Sequence, residues 1–317
     1  MNNPYQLSLS NDEFDKAVKA TAIVRKQRIR SIEERLHDLT SLKLMPKKWG
    51  SISNSRTQIN DQDKLKPIPV KIVSFDVLEL MISMNCDNEF QFWGRVLSLL
   101  HKNVFEHPGD LFIADYGEIS EEHLKQIEKK IIRKPVNNEE YACDDLLGVF
   151  FHCRIKHFTP ILQPWIELYP QVIAYFSFIL GVSAESLATV VMTHELTHAY
   201  TLAGYDINMF RGNLLCAHVP EDMAEGIAQY YTNAVCNQLE KQYSGIEKAF
   251  SELLLGQRSP YKVFQDWKRN GAFDHESVRS SWIKYREIPA NYCYEQDFRN
   301  EVQQYNQKVT KRGFGHE

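Results

Sequence analysis

Ser183-Ala184-Glu185-Ser186-Leu187-Ala188-Thr189-Val190-Val191-Met192-Thr193-His194-Glu195-Leu196-Thr197-His198-Ala199-Tyr200-Thr201-Leu202-Ala203-Gly204 reads as one long helix. Ser183 supplies the capping hydroxyl, Glu185 an acidic first turn and Gly204 the stop. Between the ends, Ala184, Leu187, Val190, Val191, Met192, Leu196, Ala199 and Leu202 leave almost no polar side, which predicts a buried element. His194, Glu195 and His198 therefore enter a core. At 3.6 residues per turn the two histidines share a face, and Glu195 sits one step round. This is the arrangement a helix needs to offer two imidazoles to one zinc ion, with a carboxylate beside the open coordination position. Leaving three such groups buried without partners costs several kcal/mol, which ligation removes.

A catalytic zinc takes three protein ligands and a water, so a third ligand is required. One common solution puts a glycine three residues and a histidine six residues beyond the second histidine. Here those positions hold Thr201 and Gly204, which excludes it. The other takes a glutamate from a following helix. Downstream the chain reads Val219-Pro220-Glu221-Asp222-Met223-Ala224-Glu225-Gly226-Ile227-Ala228-Gln229-Tyr230-Tyr231. Pro220 opens a helix well, and Glu221 and Glu225 then share one face, either within reach of the metal.

With His194, Glu195, His198 and the run Glu225-Gly226-Ile227-Ala228-Gln229-Tyr230 in place, the chain resembles the gluzincin zinc metallopeptidases. In that family a helix bearing HExxH is followed by a second helix with a Glu-Gly-x-Ala type signature. The resemblance covers residues 165–231 and implies a zincin-like core, a Zn2+ cofactor and Glu225 as third ligand, with Gly226 and Ala228 letting the two helices approach closely. Glu221 and Asp222 then become alternative or supporting groups that orient a ligating imidazole. The departure is spacing: 26 residues lie between His198 and Glu225, longer than in the best-known members, and an inserted loop from Tyr205 to Val219 accounts for it. Peptidases of this group add a Tyr or His that donates to the developing oxyanion. His218, Tyr261, His275, Tyr285 and Tyr292 are the residues available.

Upstream, Trp165 to Tyr169 reads as a strand, and Pro164 before it suggests a sheet edge able to hold an extended peptide. Pro170 opens an apolar helix ending at Gly181, and the alternation from Val149 to Phe158 predicts a second strand. The expected fold class is α+β, mainly α: a small antiparallel sheet, an active-site helix, a Glu-bearing helix, and helical parts at both ends.

Further out, residues 1–66 read as a helical N-terminal arm and linker. Its apolar spacing is Val18, Ile29, Ile32, Leu36 and Leu39, among Lys16, Lys19, Arg25, Lys26, Arg28 and Arg30. It is either a surface for a regulatory partner or a solvated helix packed on the body, and the packed helix is the expectation. Residues 67–241 make the zinc-binding core, with further strands expected at Val70 to Phe75 and Leu111 to Ala114 and helices at Asn88 to Val104 and Ser120 to Arg133. Residues 242–317 form a helical subdomain able to wall a cleft.

The net charge of -4 and pI near 6.3 give no electrostatic reason to expect nucleic acid. The longest apolar run, Val172 to Val182, is too short to span a bilayer. The first residues lack the basic and apolar regions of a secretion signal, and the six cysteines show no C-x-x-C spacing, so a cytoplasmic enzyme with reduced thiols is expected. The expected function is hydrolysis of peptide bonds in a peptide or protein substrate by zinc-activated water, with Glu195 as general base. A zinc hydrolase of a non-peptide amide, or a non-catalytic protein whose histidines satisfy core hydrogen bonds, is the alternative.

Overall fold

The computed structural model of the protein describes residues 9–44, 69–74, 147–151, 165–204, 220–257, 259–268, 275–286 and 294–313. Over these the chain is mainly helical with one small sheet. The strand at Leu111 to Ala114 and the helices at Asn88 to Val104 and Ser120 to Arg133 lie outside the described residues.

Helix α1, Asn11–Thr40, begins with a reciprocal cap: Glu13 N–H donates to Ser10 Oγ (3.3 Å), and Ser10 N–H donates to the Glu13 carboxylate (2.7 Å). Its buried stripe is Phe14, Ala17, Thr21, Val24, Arg28, Ile32, Leu36 and Leu39. The sequence pattern places the stripe one residue off at Val18 and Ile29, which are only partly buried. The inward positions Ala17, Thr21 and Arg28 are small or polar, so apolarity alone hides them.

The sheet holds β1 (Val70–Ile72), β2 (Gly148–Phe151) and β3 (Trp165–Leu168) in the order β1-β3-β2. Two expectations change here. The sheet is mixed rather than antiparallel, because β1 runs parallel to β3 while β2 runs antiparallel to it. And β3 is the central strand, not an edge. Pro164 precedes the first paired residue, Trp165, so its missing N–H removes no ladder bond within the strand.

After β3, α2 spans Pro170–Leu180 and stops at Gly181, whose φ of 61° is the left-handed turn that glycine adopts without strain. Helix α3, Ala184–His198, starts where Ser183 Oγ accepts the Ser186 N–H (3.0 Å) and passes into a π-helical turn, Ala199–Ala203. Every residue from Ser186 to Tyr200 is buried. The hydroxyls this buries are satisfied internally: Thr189, Thr193, Thr197 and Thr201 each donate to the carbonyl four residues back, at 2.7–2.8 Å. Gly204 ends the turn by close approach rather than by a left-handed φ. A Cβ there would stand 2.3 Å from the Tyr200 carbonyl oxygen.

The remaining elements are α4 (Glu221–Glu240), α5 (Ile246–Gly256), short 3-10 turns at Ser259–Tyr261 and Val263–Trp267, α6 (His275–Tyr285) and α7 (Glu295–Gly313). One hydrophobic cluster runs through all of them from Leu9 to Val302. The sheet lies on α3, with Gly148 so close that a Cβ would meet Val191 Cγ1 at 2.8 Å. On another side α1 runs along α3. Arg28 reaches Thr189, the Tyr200 hydroxyl donates to the Glu33 carbonyl (3.1 Å), and Leu42 lies against Gly204. The paired residue numbers rise together, so the two helices lie side by side in the same direction. Among the described residues no single helix is long and apolar enough to cross a membrane.

Burial in the α1–α3 seam, with the Glu34 charge beside it, pushes the Glu33 carboxyl up to about 7. A carboxyl raised by folding binds its proton more tightly in the native state than in the unfolded chain. Its contribution is thus whole below the ordinary glutamate range and fades as pH rises toward about 7. Glu33→Gln should lessen the fall of Tm between about pH 4.5 and 7 relative to wild type. Parallel Tm profiles for the two proteins would show Glu33 to be solvated instead.

Candidate metal centre

Helices α3 and α4 cross so that three side chains meet at one point. His194 Nε2 and His198 Nε2 are 3.0 Å apart, and Glu225 Oε2 lies 3.2 Å from the first and 3.3 Å from the second. The histidine rings stand nearly perpendicular, at 89°, so each presents its nitrogen edge-on to the same spot. All three side chains are close to nine-tenths buried.

The triangle has the dimensions of a metal site. Ligands at about 2.0–2.1 Å from a tetrahedral zinc are separated by roughly 3.3 Å, so the observed edges match three corners of such a tetrahedron. The donor set, two imidazoles and one carboxylate, also suits zinc, which leaves a fourth position for water or substrate. Among the described residues this is the one group of His, Cys, Asp or Glu side chains able to hold a metal ion.

Electrostatics couples the three groups. Burial pulls the His194 imidazole below its ordinary range. Burial pulls His198 the same way, but the Glu225 carboxylate facing it outweighs that and raises it. Burial alone would lift the Glu225 carboxyl, whereas the two imidazoles, His198 foremost, hold it well below the usual carboxylate range. Glu225 is thus ionised and ready to ligate.

The residue expected to act as base is equally buried. Glu195 is 6% exposed and near enough to His198 for its charge to help raise that imidazole. Of the residues expected as oxyanion donors that the structure describes, Tyr261 is the one brought to the centre. Its ring lies 6.0 Å from that of His194, it is fully buried, and its hydroxyl has no hydrogen-bond partner among the described residues. His275 packs edge-on against Tyr230 at 5.7 Å, and Tyr285 packs against Phe298 at 5.4 Å. His218 and Tyr292 lie outside the described residues. Asp222 is exposed, so it does not stand behind a buried imidazole; Glu221 opens α4, but its side chain is not described.

The role expected of Gly226 shifts. A Cβ there would come within 2.5 Å of Trp267 Cη2 and 2.6 Å of Val263 Cγ2, so it is the turn at Val263–Trp267, rather than α3, that needs the missing side chain. Sequence reading also passes over the groups that hold the π-helical turn after His198. Trp282 Nε1–H donates to the Thr201 carbonyl (3.2 Å), and the buried Arg286 guanidinium donates to the Gly204 carbonyl. They come from α6 and the residue that follows it, remote in sequence, and nothing local signals them.

No protein-family model matches the chain, and no curated protein or solved structure matches it.

Two outcomes test the centre. Glu225→Ala should weaken zinc binding by at least the about 10–100-fold typical of losing an outer partner, measured by competition with a chromophoric chelator. Gly226→Ala should cost about 1–3 kcal/mol in urea unfolding through overpacking against Trp267. A neutral Gly226→Ala would show that the turn gives way freely.

Proposed function

We propose that the protein is a zinc-dependent peptidase of the gluzincin type, with His194, His198 and Glu225 as ligands and Glu195 as general base. The observation that carries this reading is the buried triangle of Nε2, Nε2 and Oε2 atoms at 3.0–3.3 Å with a second, non-ligating carboxylate beside it. A structural zinc needs four closed protein ligands; three ligands and a neighbouring base suit hydrolysis. The mixed, mainly helical fold supports a zincin-like core in one respect only, that the sheet packs directly on the metal helix.

A bound zinc supplies Lewis acidity at the mouth of the triangle, acidifying water toward neutral pH and polarising a carbonyl. The protein's own groups do the rest. Glu195 accepts a proton from the attacking water and passes it to the leaving amine. Burial of Glu195 and of the ligands excludes bulk solvent and strengthens each of these interactions. The unpartnered Tyr261 hydroxyl is the group best placed to donate to the oxygen that gains charge.

With β3 enclosed on both sides, β1 and β2 are the outer described strands, and β2 is the one pressed against α3 at Gly148 and so the one we assign to an extended substrate. Main-chain pairing along such an edge accepts many sequences. This is what favours a peptide over a small amide.

Glu195→Gln decides between catalysis and a passive metal site. The variant should carry as much zinc as wild type by elemental analysis, yet generate new peptide termini from a whole lysate about 10²–10⁴-fold more slowly. Equal rates would remove Glu195 from the role of base.

A further inference from the structure

We infer that Arg28 is a positioning residue for the metal centre, setting from α1 the placement of the two helices that carry the ligands; this rests on the zinc reading above. Arg28 is 6% exposed, and its guanidinium has three neighbours from different parts of the fold. It donates to Thr189 Oγ1 at 2.8 Å and to the Glu185 carboxylate, both in the first turns of α3. Its flat face lies over the Tyr243 ring, 4.0 Å from the centroid. Tyr243 belongs to the turn that closes α4, where its N–H donates to the Leu239 carbonyl at 2.8 Å. One buried cation therefore ties the start of the histidine helix to the end of the glutamate helix.

The choice of residue is what points beyond packing. Burying a guanidinium is costly, and replacing a whole buried ion pair by apolar side chains of similar volume is often neutral or stabilising. Arg28 also leaves its Nε without a hydrogen-bond partner among the described residues, so the arrangement is not optimised for stability. What the guanidinium offers instead is direction. Its planar fork fixes Glu185 and Thr189 at once, which defines the rotation of α3 about its own axis, while stacking on Tyr243 fixes the distance to α4. Five residues beyond Thr189, or about 7.5 Å along the axis, comes His194. A few degrees of rotation there would carry both imidazoles away from Glu225. Ligating constellations tolerate only about 0.5 Å and 10–20°.

A purely structural role and a positioning role predict different results for Arg28→Met. The test loads wild type, Arg28→Met and Arg28→Lys with Co2+ and with Zn2+. It records Tm, zinc affinity by chelator competition, and the visible absorption bands of the cobalt form, which report ligand geometry. If Arg28 positions the ligands, metal-free Arg28→Met stays folded, because its partner Glu185 is 43% exposed and can be rehydrated, yet it binds zinc at least tenfold more weakly and shows altered cobalt bands. Arg28→Lys, which keeps the charge but not the fork, should fall between. Unchanged affinity and bands in a folded Arg28→Met overturn the inference while leaving the zinc reading intact. Failure of wild type to bind either metal instead overturns the zinc reading. Should Arg28→Met not fold, Thr189→Val, which removes one acceptor and keeps volume, must reproduce the cobalt change or the inference fails.

Discussion

Two imidazoles and a carboxylate brought within 3.3 Å of one another and almost out of reach of water is the constraint around which the fold is arranged. Such a cluster is unfavourable unless something shares its lone pairs. A proton between Glu225 and an imidazole satisfies one pair and leaves the third group over. A cation at the centre satisfies all three, and its ligand distances are those the backbone already imposes. The apolar character of α3 follows from the same need, since ligands held this tightly require a helix that cannot shift. Its neighbours enclose it: the sheet through Gly148, α1 through Arg28 and the Glu33 carbonyl, and α6 through Trp282.

The threonine ridge and the π-helical turn give α3 a second peculiarity. Thr189, Thr193, Thr197 and Thr201 each add a bond to a carbonyl four residues back, which satisfies hydroxyls that burial would otherwise leave without partners. The ridge ends where the helix widens at Ala199–Ala203. A widened turn leaves carbonyls imperfectly paired, and the two that Trp282 and Arg286 capture, Thr201 and Gly204, are those that follow His198. The helix is held at both ends, by Arg28 at its start and by Trp282 and Arg286 beyond its end. Between them lie both histidines.

Legibility in the sequence tracked how local each cause is. Ser183, Gly181 and Pro170 act within one turn of themselves, and the ends of α2 and the start of α3 fall where they indicate. The histidine pair was equally plain, because i and i+4 share a face whatever else the chain does. The sheet was less legible. The parallel neighbour of β3 comes from Val70–Ile72, some ninety residues upstream, and no local pattern encodes a partner at that distance. Arg28 was hidden for the opposite reason, since six other lysines and arginines share its helix and only the fold separates the buried one from the rest.

The third ligand shows where spacing ceases to inform. Counting residues favours Glu221, because a shorter connection is the commoner one. Yet the connection does not place the ligand. What places it is where the axis of α4 crosses α3, and that is set by contacts on the far side of α4, where Trp267 and Val263 press against Gly226. A Cβ at 226 would press on Trp267 and Val263, so the close seat of α4 on that turn needs the missing side chain. The glycine lets α4 seat against the turn, and in that seat the neighbouring Glu225 faces His194 and His198.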